Sequence, residues 1–489
     1  MIIFILKRPI DSVDTSCAND RCNSIFSEET ELKRELGFLE TVSIVIGRII
    51  GSGIFRTPGP IMALVGCTSL FALSWIIAGL ITIFAAMCYA ELVAMIPRSG
   101  GPYVFLRAAY PPIFTFLRGW AMFFVSETAS IAAVALVFAE YGAALWQIAT
   151  GHPMPWTAVI ALALSTIALL TAVNCFGVFL SGVVQDVFSF IKVAAIGAVI
   201  GICFTAQGSF SHFSAPLWPR EWGWGTVLAV GAALRYSFFA FSGWEGATYV
   251  AEEVRNPRKN LPLSLFIGIA GVLLLYAGAN SAYLYQLPVG AVKESSWIAV
   301  DAMKAAIGGI GGALISVAVM VNTFGNVSTQ ILCKARTWQA MARDGLFFRQ
   351  FAKIHPKYKT PNYSMLFQGL WAAVLLLFAA SARHSYETII DFFSFTGTVF
   401  NIMTVWSVVV LRRKYPDAPR PYRAWLYPFG IIVVVAFYLA YMAVTLITAF
   451  VPSMLGVLLT STGLLYYYRR SLFKGRFTGD GDIITSRME

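Results

Sequence analysis

Two clusters of small residues lie inside long apolar stretches of this 489-residue chain and are its first candidates for chemistry. One is Gly51–Gly53 in the first apolar segment, and the other is Ser242–Gly246, around Glu245, in the sixth. A glycine destabilises a helix interior by about 1 kcal/mol relative to alanine. Close helix packing would explain one cluster taken alone. Two clusters, five segments apart, favour two helix breaks that face one binding site at mid-membrane.

A broken helix presents backbone groups of opposite partial charge. N–H groups are left at the start of its second half and carbonyl groups at the end of its first half, and each end carries about half an elementary charge. With the first segment running outward, the N–H groups near Gly53 suit a carboxylate. With the sixth running inward, the carbonyls of Phe239–Phe241 suit an ammonium group. A pocket with both ends fits a zwitterion such as an α-amino acid.

Lys192 lies well inside the fifth apolar segment. A lysine at the bilayer centre costs roughly 2.5–3.5 kcal/mol by insertion scales, and such residues mark functional sites. Either its ammonium group takes the place of a bound cation beside the first helix break, or the lysine is structural and pairs with Asp186 or with carbonyls at a helix end. The sequence alone leaves both interpretations open.

Four further ionisable residues in apolar segments are candidates, namely Arg48, Glu127, Arg235 and Glu245. Arg48 lies three residues before the first glycine cluster and could face an inner vestibule, where it and Glu127 would tune the charge of the site. A structural ion pair or a water-facing charge is the alternative for each. The histidines at 152, 212, 355 and 384 fall in predicted loops without the spacing of a metal site, so we predict no metal and no cofactor.

The elements that must position these residues are membrane helices. The composition is 58% hydrophobic and 12% charged, whereas soluble proteins carry about 25% charged residues. Strands of a membrane barrel would alternate in hydrophobicity, and these segments do not. We therefore predict an all-α integral membrane protein with twelve spans. The predicted spans are 37–64, 69–95, 119–148, 155–175, 180–204, 224–250, 262–286, 308–333, 362–381, 388–411, 425–447 and 450–468.

The net charge of +11 indicates orientation and not nucleic-acid binding. Most of the 36 Lys and Arg fall in the tails and in the loops on the same side as the tails. Positive loops are cytoplasmic, so both termini are predicted to be cytoplasmic. The opposite loops carry only Arg56, Arg220, Lys293, Lys304 and Arg383. The seven cysteines are odd in number and lack paired spacing, which argues against a disulfide framework.

Several motifs together resemble the L-type amino acid transporter family of the amino acid–polyamine–organocation superfamily, which includes the light chains of heteromeric transporters and their bacterial relatives. The resemblance covers residues 36 to 470. Its motifs are Gly47–Phe55, Cys88–Leu92, Pro97–Tyr103, Leu170–Cys175, Val184–Asp186 with Lys192, Phe241–Trp244 and Glu252–Pro257.

The resemblance implies a twelve-helix fold in which one bundle rocks against a scaffold. Five helices form a first repeat and five an inverted second repeat, with helices one and six broken and two helices added at the C-terminus. The predicted domains are an N-terminal tail (1–36), the first repeat (37–204), the second repeat (224–411), the last two helices (425–468) and a C-terminal tail (469–489).

The resemblance also assigns roles to residues. The backbone of Gly51, Ser52, Gly53 and Ile54 would hold the substrate carboxylate. The carbonyls near Phe239, Phe241 and Ser242 would hold the amine, with Phe239 as an aromatic gate and Glu245 beside them. Lys192, with Asn326 and Ser328 as neighbours, would stand where sodium-coupled relatives bind an ion, which implies sodium-independent transport, usually as exchange.

Three departures from the family pattern bear on specificity and partners. Arg48 replaces a small residue, and Glu245 stands where Asn or Asp is common, so the substrate charge and proton coupling stay open. The loop Gln147–Pro155 lacks the cysteine that joins eukaryotic light chains to a heavy subunit. We therefore expect no disulfide-linked heavy subunit and a prokaryotic inner membrane as the location.

The predicted function is a secondary active transporter, an antiporter of neutral L-amino acids in the plasma membrane. The alternatives are a proton-coupled carrier or a cationic amino acid or polyamine permease, for which Glu245 would supply the acid. A membrane-embedded enzyme would need convergent His, Asp, Glu or Ser/Lys sets, which the sequence does not show. A receptor or channel would not need the two helix breaks. The expected partners are an amino acid substrate and the lipid bilayer, and no nucleic acid.

Overall fold

Helices are the only regular secondary structure in the part of the chain that the structure describes. The structure is a computed structural model that describes residues 26, 34–177, 182–214, 216–358, 360–382 and 385–474, with side chains left out at 182–189 and 470–474. Asp186 and the cysteines Cys17 and Cys22 lie outside the described side chains. An isolated bridge joins Leu36 to Val254, and the described residues contain no β-strand.

The α-helices are numbered in chain order, and shorter 3₁₀ and π segments connect some of them. The π-helical turn is Met122–Ser126, and the longest 3₁₀ segment is Trp244–Glu253. The α-helices are α1 (Phe38–Ile49), α2 (Gly53–Arg56), α3 (Pro58–Val65), α4 (Thr68–Met95), α5 (Pro102–Ala109), α6 (Pro112–Ala121), α7 (Glu127–Thr150), α8 (Trp156–Cys175), α9 (Gly182–Thr205), α10 (Trp224–Ala240), α11 (Pro257–Gln286), α12 (Val289–Glu294), α13 (Ile298–Arg343), α14 (Asn362–Ala380), α15 (Ser385–Lys414), α16 (Phe429–Thr448) and α17 (Phe450–Lys474).

These helices confirm the predicted all-α fold with twelve spans. Eleven stretches of the described chain are long and apolar enough to cross a bilayer. The stretch from Phe190 to Thr205, at the end of α9, supplies the remaining apolar helix. Helices satisfy their own backbone hydrogen bonds, which a chain in hydrocarbon must do. The inverted relation between 37–204 and 224–411 stays a prediction.

The packing of the long helices places the two predicted breaks side by side at the centre. Helix α13 packs along α7 and α9, while α11 packs along α4 and α1. The aromatic rings of Trp75, Phe241 and Tyr276 pack edge-on or tilted against one another where α4, α10 and α11 meet. Many large apolar side chains point outward, among them Leu274 and Ile310, as expected of a surface that faces lipid.

Four tryptophans border the predicted loops on the side opposite the tails. The side chains of Trp146, Trp156, Trp222 and Trp224 are all exposed. Tryptophan is enriched at the membrane interface because its ring is apolar and its indole N–H is polar. The Trp156 indole donates to the carbonyl of Ala380, which joins the start of α8 to the end of α14.

Candidate functional site

The first break separates α1 from α2. Helix α1 ends at Ile49, Ile50 is extended (φ −69°, ψ 93°), and α2 begins at Gly53. In the described part of the chain, no hydrogen bond engages the backbone N–H groups of Gly51, Ser52 and Gly53. These are the unsatisfied donors expected at a helix start, and they carry its positive partial charge. An anion could accept hydrogen bonds from them.

The second break follows α10. Helix α10 ends at Ala240, and Gly243 adopts φ +94°, a left-handed conformation that favours glycine. The chain then continues as the 3₁₀ segment Trp244–Glu253. The two breaks touch: a Cβ atom on Gly53 would come within 2.4 Å of the Ala240 Cα atom. Only glycine at position 53 allows this approach of the two backbones.

The Tyr276 hydroxyl of α11 lies between the two broken ends. Its oxygen is 3.2 Å from the carbonyl oxygen of Ile49 and 3.0 Å from that of Ala240. A phenol has a single proton to donate, so the two carbonyls share it. This buried side chain therefore links the last turn of α1 to the last turn of α10.

The carbonyl end of the second break is less open than the N–H end of the first. The Phe239 carbonyl accepts hydrogen bonds from the Ser242 backbone N–H at 3.0 Å and the Ser242 hydroxyl at 2.7 Å. A carbonyl oxygen has two lone pairs. A bound ammonium group could therefore use this oxygen only if the Ser242 hydroxyl turned away.

A cavity lies between the breaks and collects most of the predicted site residues. Its volume is about 180 Å³, whereas one water molecule needs only about 10–15 Å³, so the cavity has room for a small organic molecule. Its lining includes these predicted residues: Arg48, Gly51, Ser52, Gly53, Glu127, Phe239, Ser242, Glu245 and Asn326.

The remaining predicted residues lie near the cavity without lining it. Ile54 is fully buried in α2, and the Phe241 ring packs 5.2 Å from that of Tyr276. Ser328 exchanges hydrogen bonds with Asn174 of α8, at 3.0 and 3.3 Å. Ser328 therefore joins two helices next to the site, and neither Asn326 nor Ser328 has a described hydrogen bond to Lys192.

Lys192 binds the end of the broken first helix. Its Nζ atom donates to the Gly47 carbonyl at 2.8 Å, and the residue is 3% exposed. In an unbroken helix the Gly47 carbonyl would accept from the N–H of Gly51, which instead lies in the break. The ammonium group thus occupies the position where a cation would meet the negative end of α1. A purely structural lysine that binds carbonyls at a helix end, the alternative considered from the sequence, would have the same geometry.

Phe239 lies on one wall of the cavity and is 8% exposed. Its ring stands edge-on to Tyr386, with centroids 5.9 Å apart, and tilted to Phe393 at 5.8 Å. The neighbouring Phe238 points away, toward Phe437 and Tyr441. Only Phe239 of this pair contacts the space between the breaks.

The sequence prediction missed Lys334 and Arg118, which it assigned to loops on the tail side. Lys334 belongs to α13, lines the cavity and donates to Glu127 at 2.7 Å. Arg118, in α6, is 8% exposed and lines the same cavity. The apolar helices continue past the hydropathy boundary here, so only tertiary packing shows that these cations are buried.

The π-helical turn Met122–Ser126 contributes residues to one wall of the cavity. It lies between α6 and α7, and Met122, Ser126 and Glu127 all line the cavity. The Thr128 hydroxyl donates to the Phe123 carbonyl at 2.7 Å within this turn. Such single turns recur at functional sites because they rotate the side chains that follow. No residue type in this stretch predicts the turn.

The assignment of Arg56 to an outer loop was wrong. Arg56 ends α2 and is 7% exposed, with its guanidinium group 2.9 Å from the Glu140 carboxylate and 3.2 Å from that of Glu387. The guanidinium also lies over the Tyr386 ring, 4.9 Å from its centroid. This cluster joins α2 to α7 and α15 beyond the cavity.

Two further observations limit the chemistry of the described residues. They contain no group of three His, Cys, Asp or Glu side chains that could hold a metal ion. Arg235, the last of the apolar-segment candidates, is paired with Asp391 at 2.7 Å and does not line the cavity. The cavity therefore offers backbone dipoles, an aromatic wall and a few charges, which suit binding.

Known proteins share sequence with this chain over most of its length. Residues 36–468 match a family model described as Amino acid permease. The chain is 33% identical over 413 residues to the large neutral amino acids transporter small subunit 2 of Mus musculus, covering 84% of this chain and 76% of the relative. It is 29% identical over 441 residues to the b(0,+)-type amino acid transporter 1 of Mus musculus (90% and 88% covered). The Asc-type amino acid transporter 1 of Homo sapiens is 29% identical over 448 residues (90% and 83%).

Proposed function

Because the chain belongs to the amino acid permease family, we propose that it exchanges neutral L-amino acids by alternating access, without sodium. The observation that carries the proposal is the pair of helix breaks that touch beside one cavity, with N–H groups at Gly51–Gly53 that have no partner among the described residues. A protein that only packs helices together gains nothing from leaving these donors unsatisfied.

Family membership excludes the enzyme that the sequence left as a remote alternative. The chain is an amino acid transporter of the L-type light-chain group and a multi-pass membrane protein, as its motifs predicted. One relative carries a name that specifies large neutral amino acids. This name supports neutral substrates for this chain.

The proposed binding mode uses both breaks. The N–H groups of Ser52 and Gly53 hold the substrate carboxylate, and the carbonyl of Phe239 holds the amine after the Ser242 hydroxyl turns. Phe239 closes over the bound substrate. Charge-assisted hydrogen bonds to a carboxylate are about twice as strong as neutral ones, so the α-carboxylate anchors the substrate.

Sodium independence is supported by the position of Lys192. Its ammonium group donates to the Gly47 carbonyl and carries the positive charge that a metal ion would otherwise bring to the end of α1. A second cation there would meet the like charge of Lys192 in a region of low dielectric constant.

The charges of the cavity disfavour the cationic amino acid or polyamine permease. Arg48, Arg118 and Lys334 line it, against Glu127 and Glu245. Glu127 is already paired with Lys334. Glu245 is the remaining carboxylate of the described lining, and the arginines near it would repel the side-chain charge of a cationic substrate.

We further propose that both termini are cytoplasmic and that the protein works in a prokaryotic inner membrane without a disulfide-linked heavy subunit. The excess of Lys and Arg on the tail side supports the orientation. The loop Gln147–Pro155 contains no cysteine that could form the link. Non-reducing electrophoresis of membranes would reveal a mixed disulfide, and a protease or labelling assay on tagged termini would test the orientation.

Uptake into liposomes containing the purified chain tests the proposal. Labelled leucine, alanine, serine, lysine and putrescine are supplied with and without internal amino acid, sodium and a pH gradient. We expect uptake of the neutral amino acids to require internal amino acid and to be indifferent to sodium. Uptake into empty liposomes driven by a proton gradient would replace exchange by proton symport, and preferred uptake of lysine or putrescine would replace neutral by cationic substrates.

A further inference from the structure

The cavity between the helix breaks is lined by three basic and two acidic side chains. The basic residues are Arg48, Arg118 and Lys334, and the acidic residues are Glu127 and Glu245. Charges in a membrane interior are costly unless they are paired, so each must be accounted for.

Lys334 and Glu127 neutralise each other. Their Nζ and Oε1 atoms are 2.7 Å apart, and the lysine side chain is 3% exposed. The Tyr249 hydroxyl lies 3.4 Å from the same Nζ atom. Because Glu127 already neutralises the charge of Lys334, this lysine is not available to bind a charged group of the substrate.

Glu245 is then the single carboxylate that faces two guanidinium groups, Arg48 and Arg118. Whichever of them it approaches, one positive charge remains without a carboxylate partner in the described lining. The Arg48 side chain is half-buried and lies against Gly246. Arg118 is 8% exposed, and its Nε atom has no hydrogen-bond partner among the described residues. Arg118 is therefore the buried cation of the lining that has no partner among the described residues.

A zwitterion does not supply that partner. In the proposed binding mode, its carboxylate lies at the N–H groups of α2 and its ammonium at the carbonyl of Phe239. A buried guanidinium favours a planar anion that can accept two parallel hydrogen bonds, which a carboxylate does. The missing partner is then a second carboxylate, on the substrate's side chain.

We propose that Arg118 binds the side-chain carboxylate of an acidic α-amino acid, so that aspartate or glutamate is one of the exchanged substrates. The inference rests on the proposed function, because it assumes that the helix breaks hold the α-carboxylate and the amine. It assigns Arg118 as a specificity residue and makes exchange of an acidic for a neutral amino acid a transfer of one negative charge across the membrane.

Exchange in liposomes loaded with leucine tests the assignment. Labelled glutamate, aspartate and leucine are offered at concentrations below KM, to the wild type and to Arg118→Gln, Arg118→Lys and Arg413→Gln. Arg413 is an exposed arginine on the tail side and outside the cavity, which makes it the matched control. Size-exclusion profiles of all variants report folding.

We expect the wild type to take up glutamate or aspartate, and Arg118→Gln to lower the ratio of acidic to leucine uptake by about tenfold or more, because a hydrogen bond to a charged group contributes at least that factor. Arg118→Lys keeps the charge and should lower the ratio less, while Arg413→Gln should leave it unchanged. An inside-positive potential set with potassium and valinomycin should accelerate acidic uptake.

Distinct results would overturn the inference or its premise. A wild type that exchanges leucine but neither acidic amino acid, or an unchanged ratio in a folded Arg118→Gln variant, would mean that water or Glu245 alone solvates Arg118. If uptake of glutamate or aspartate did not depend on the membrane potential, the side-chain carboxyl group would cross the membrane protonated. That result would contradict the binding of an ionised carboxylate by Arg118. A folded wild type that exchanges no amino acid at all would instead remove the proposed function.

Discussion

Lys192 is a buried cation with a hydrogen-bond partner, whereas Arg118 has none among the described residues. It donates to the Gly47 carbonyl at the end of α1, and it comes from α9, which packs against both α1 and α13. The hydrogen bond fixes the last turn of α1 and, through it, the position of the free N–H groups at Ser52 and Gly53. The geometry of the first helix break therefore depends on a single side chain, that of Lys192.

Replacing Lys192 by methionine keeps an unbranched side chain of similar length and removes its charge. We expect Lys192→Met to reach the membrane and purify as a single species, while exchange falls at least about tenfold, because a hydrogen bond to a charged group contributes about 1.5–3 kcal/mol. Initial rates of leucine exchange in liposomes measure the effect. The exposed Lys259 offers the control Lys259→Met, which should behave as wild type. Near-normal exchange by Lys192→Met would make the lysine purely structural.

Phe239 and Phe238 form a natural pair for testing the aromatic gate. Phe239→Ala removes a ring that lines the cavity and contacts Tyr386 and Phe393. Aromatic contacts contribute about 0.5–1.5 kcal/mol each, so we expect KM to rise about two- to tenfold. Phe238→Ala removes a ring of the same size that faces away and should leave KM unchanged. Equal KM values for wild type and Phe239→Ala would remove Phe239 from the gate.

At the scale of helices, the two breaks behave as one unit because Tyr276 joins them. Its hydroxyl is shared by the carbonyls of Ile49 and Ala240, and Gly53 allows the backbone of α2 to touch the end of α10. A substrate bound at the N–H end of one break therefore acts on an element coupled to the other. Helix α11 supplies the tyrosine and also packs along α1 and α4, so it holds the unit in place.

Removing the shared hydroxyl should loosen this unit. We expect Tyr276→Phe to lower the free energy of unfolding by about 0.5–1.5 kcal/mol, the usual net contribution of a hydrogen bond, and to slow exchange. Thermal denaturation in detergent and exchange rates measure the two effects.

A matched control lies on the same helix, at Tyr283. Its buried hydroxyl has no hydrogen-bond partner in the part of the chain that the structure describes. Tyr283→Phe should therefore leave both the melting temperature and the exchange rate as in wild type or slightly raise the former. If the two variants melted alike, below wild type, the Tyr276 hydroxyl would have no special role at the breaks.

At the scale of the whole molecule, clusters of polar groups join separate helices on either side of the cavity. Arg56 ties α2 to Glu140 of α7 and Glu387 of α15. On the tail side, Asp344 after α13 accepts from the Tyr103 hydroxyl at 2.8 Å and pairs with Arg107 at 3.0 Å. Burial, reinforced by Asp344, raises the pKa of Tyr103 above its usual value, so its hydroxyl stays protonated and keeps donating. Alternating access requires that such clusters break in turn.

Neutralising Arg56 should increase access to the cavity from the side opposite the tails. Arg56→Gln leaves two carboxylates beside each other, and removing one partner of a buried ion pair costs about 3–5 kcal/mol. We expect a cysteine introduced by Ser52→Cys to react several times faster with a membrane-impermeant thiol reagent when Arg56→Gln is present. Mass spectrometry of the labelled protein measures the rate.

This labelling needs a background without competing thiols. Cys333 is exposed, and Cys17 and Cys22 belong to the N-terminal tail, so all three are replaced by serine. The control is Arg220→Gln, which changes an exposed arginine of a loop predicted on the same side. Equal labelling rates in the presence and absence of Arg56→Gln would mean that the cluster does not close the outer side.

The sequence by itself determined the fold class, the family and the two breaks. Apolar length decides helices in a bilayer, since backbone groups in hydrocarbon must be satisfied within one segment. The breaks at Gly51–Gly53 and Ser242–Gly246 could be predicted because glycine is costly inside a helix and marks the places where helix is not continued. Backbone preference depends on residue type and on adjacent residues, so a helix break can be predicted from a single sequence.

Only the tertiary structure decided which charges meet. Arg118 and Lys334 fall at the ends of apolar segments and Arg56 in the outer part of the first one; all three were counted with the loops, yet packing buries each of them. The pairing of Lys334 with Glu127 joins residues 207 positions apart, and that of Arg56 with Glu140 joins residues 84 apart. The free energy of a buried charge depends on neighbours brought from distant helices, and no local pattern records those neighbours. For the same reason, only the packed helices distinguish the N–H end at Gly53 and the Arg118 side chain, which lack partners among the described residues, from the Phe239 carbonyl, which has two.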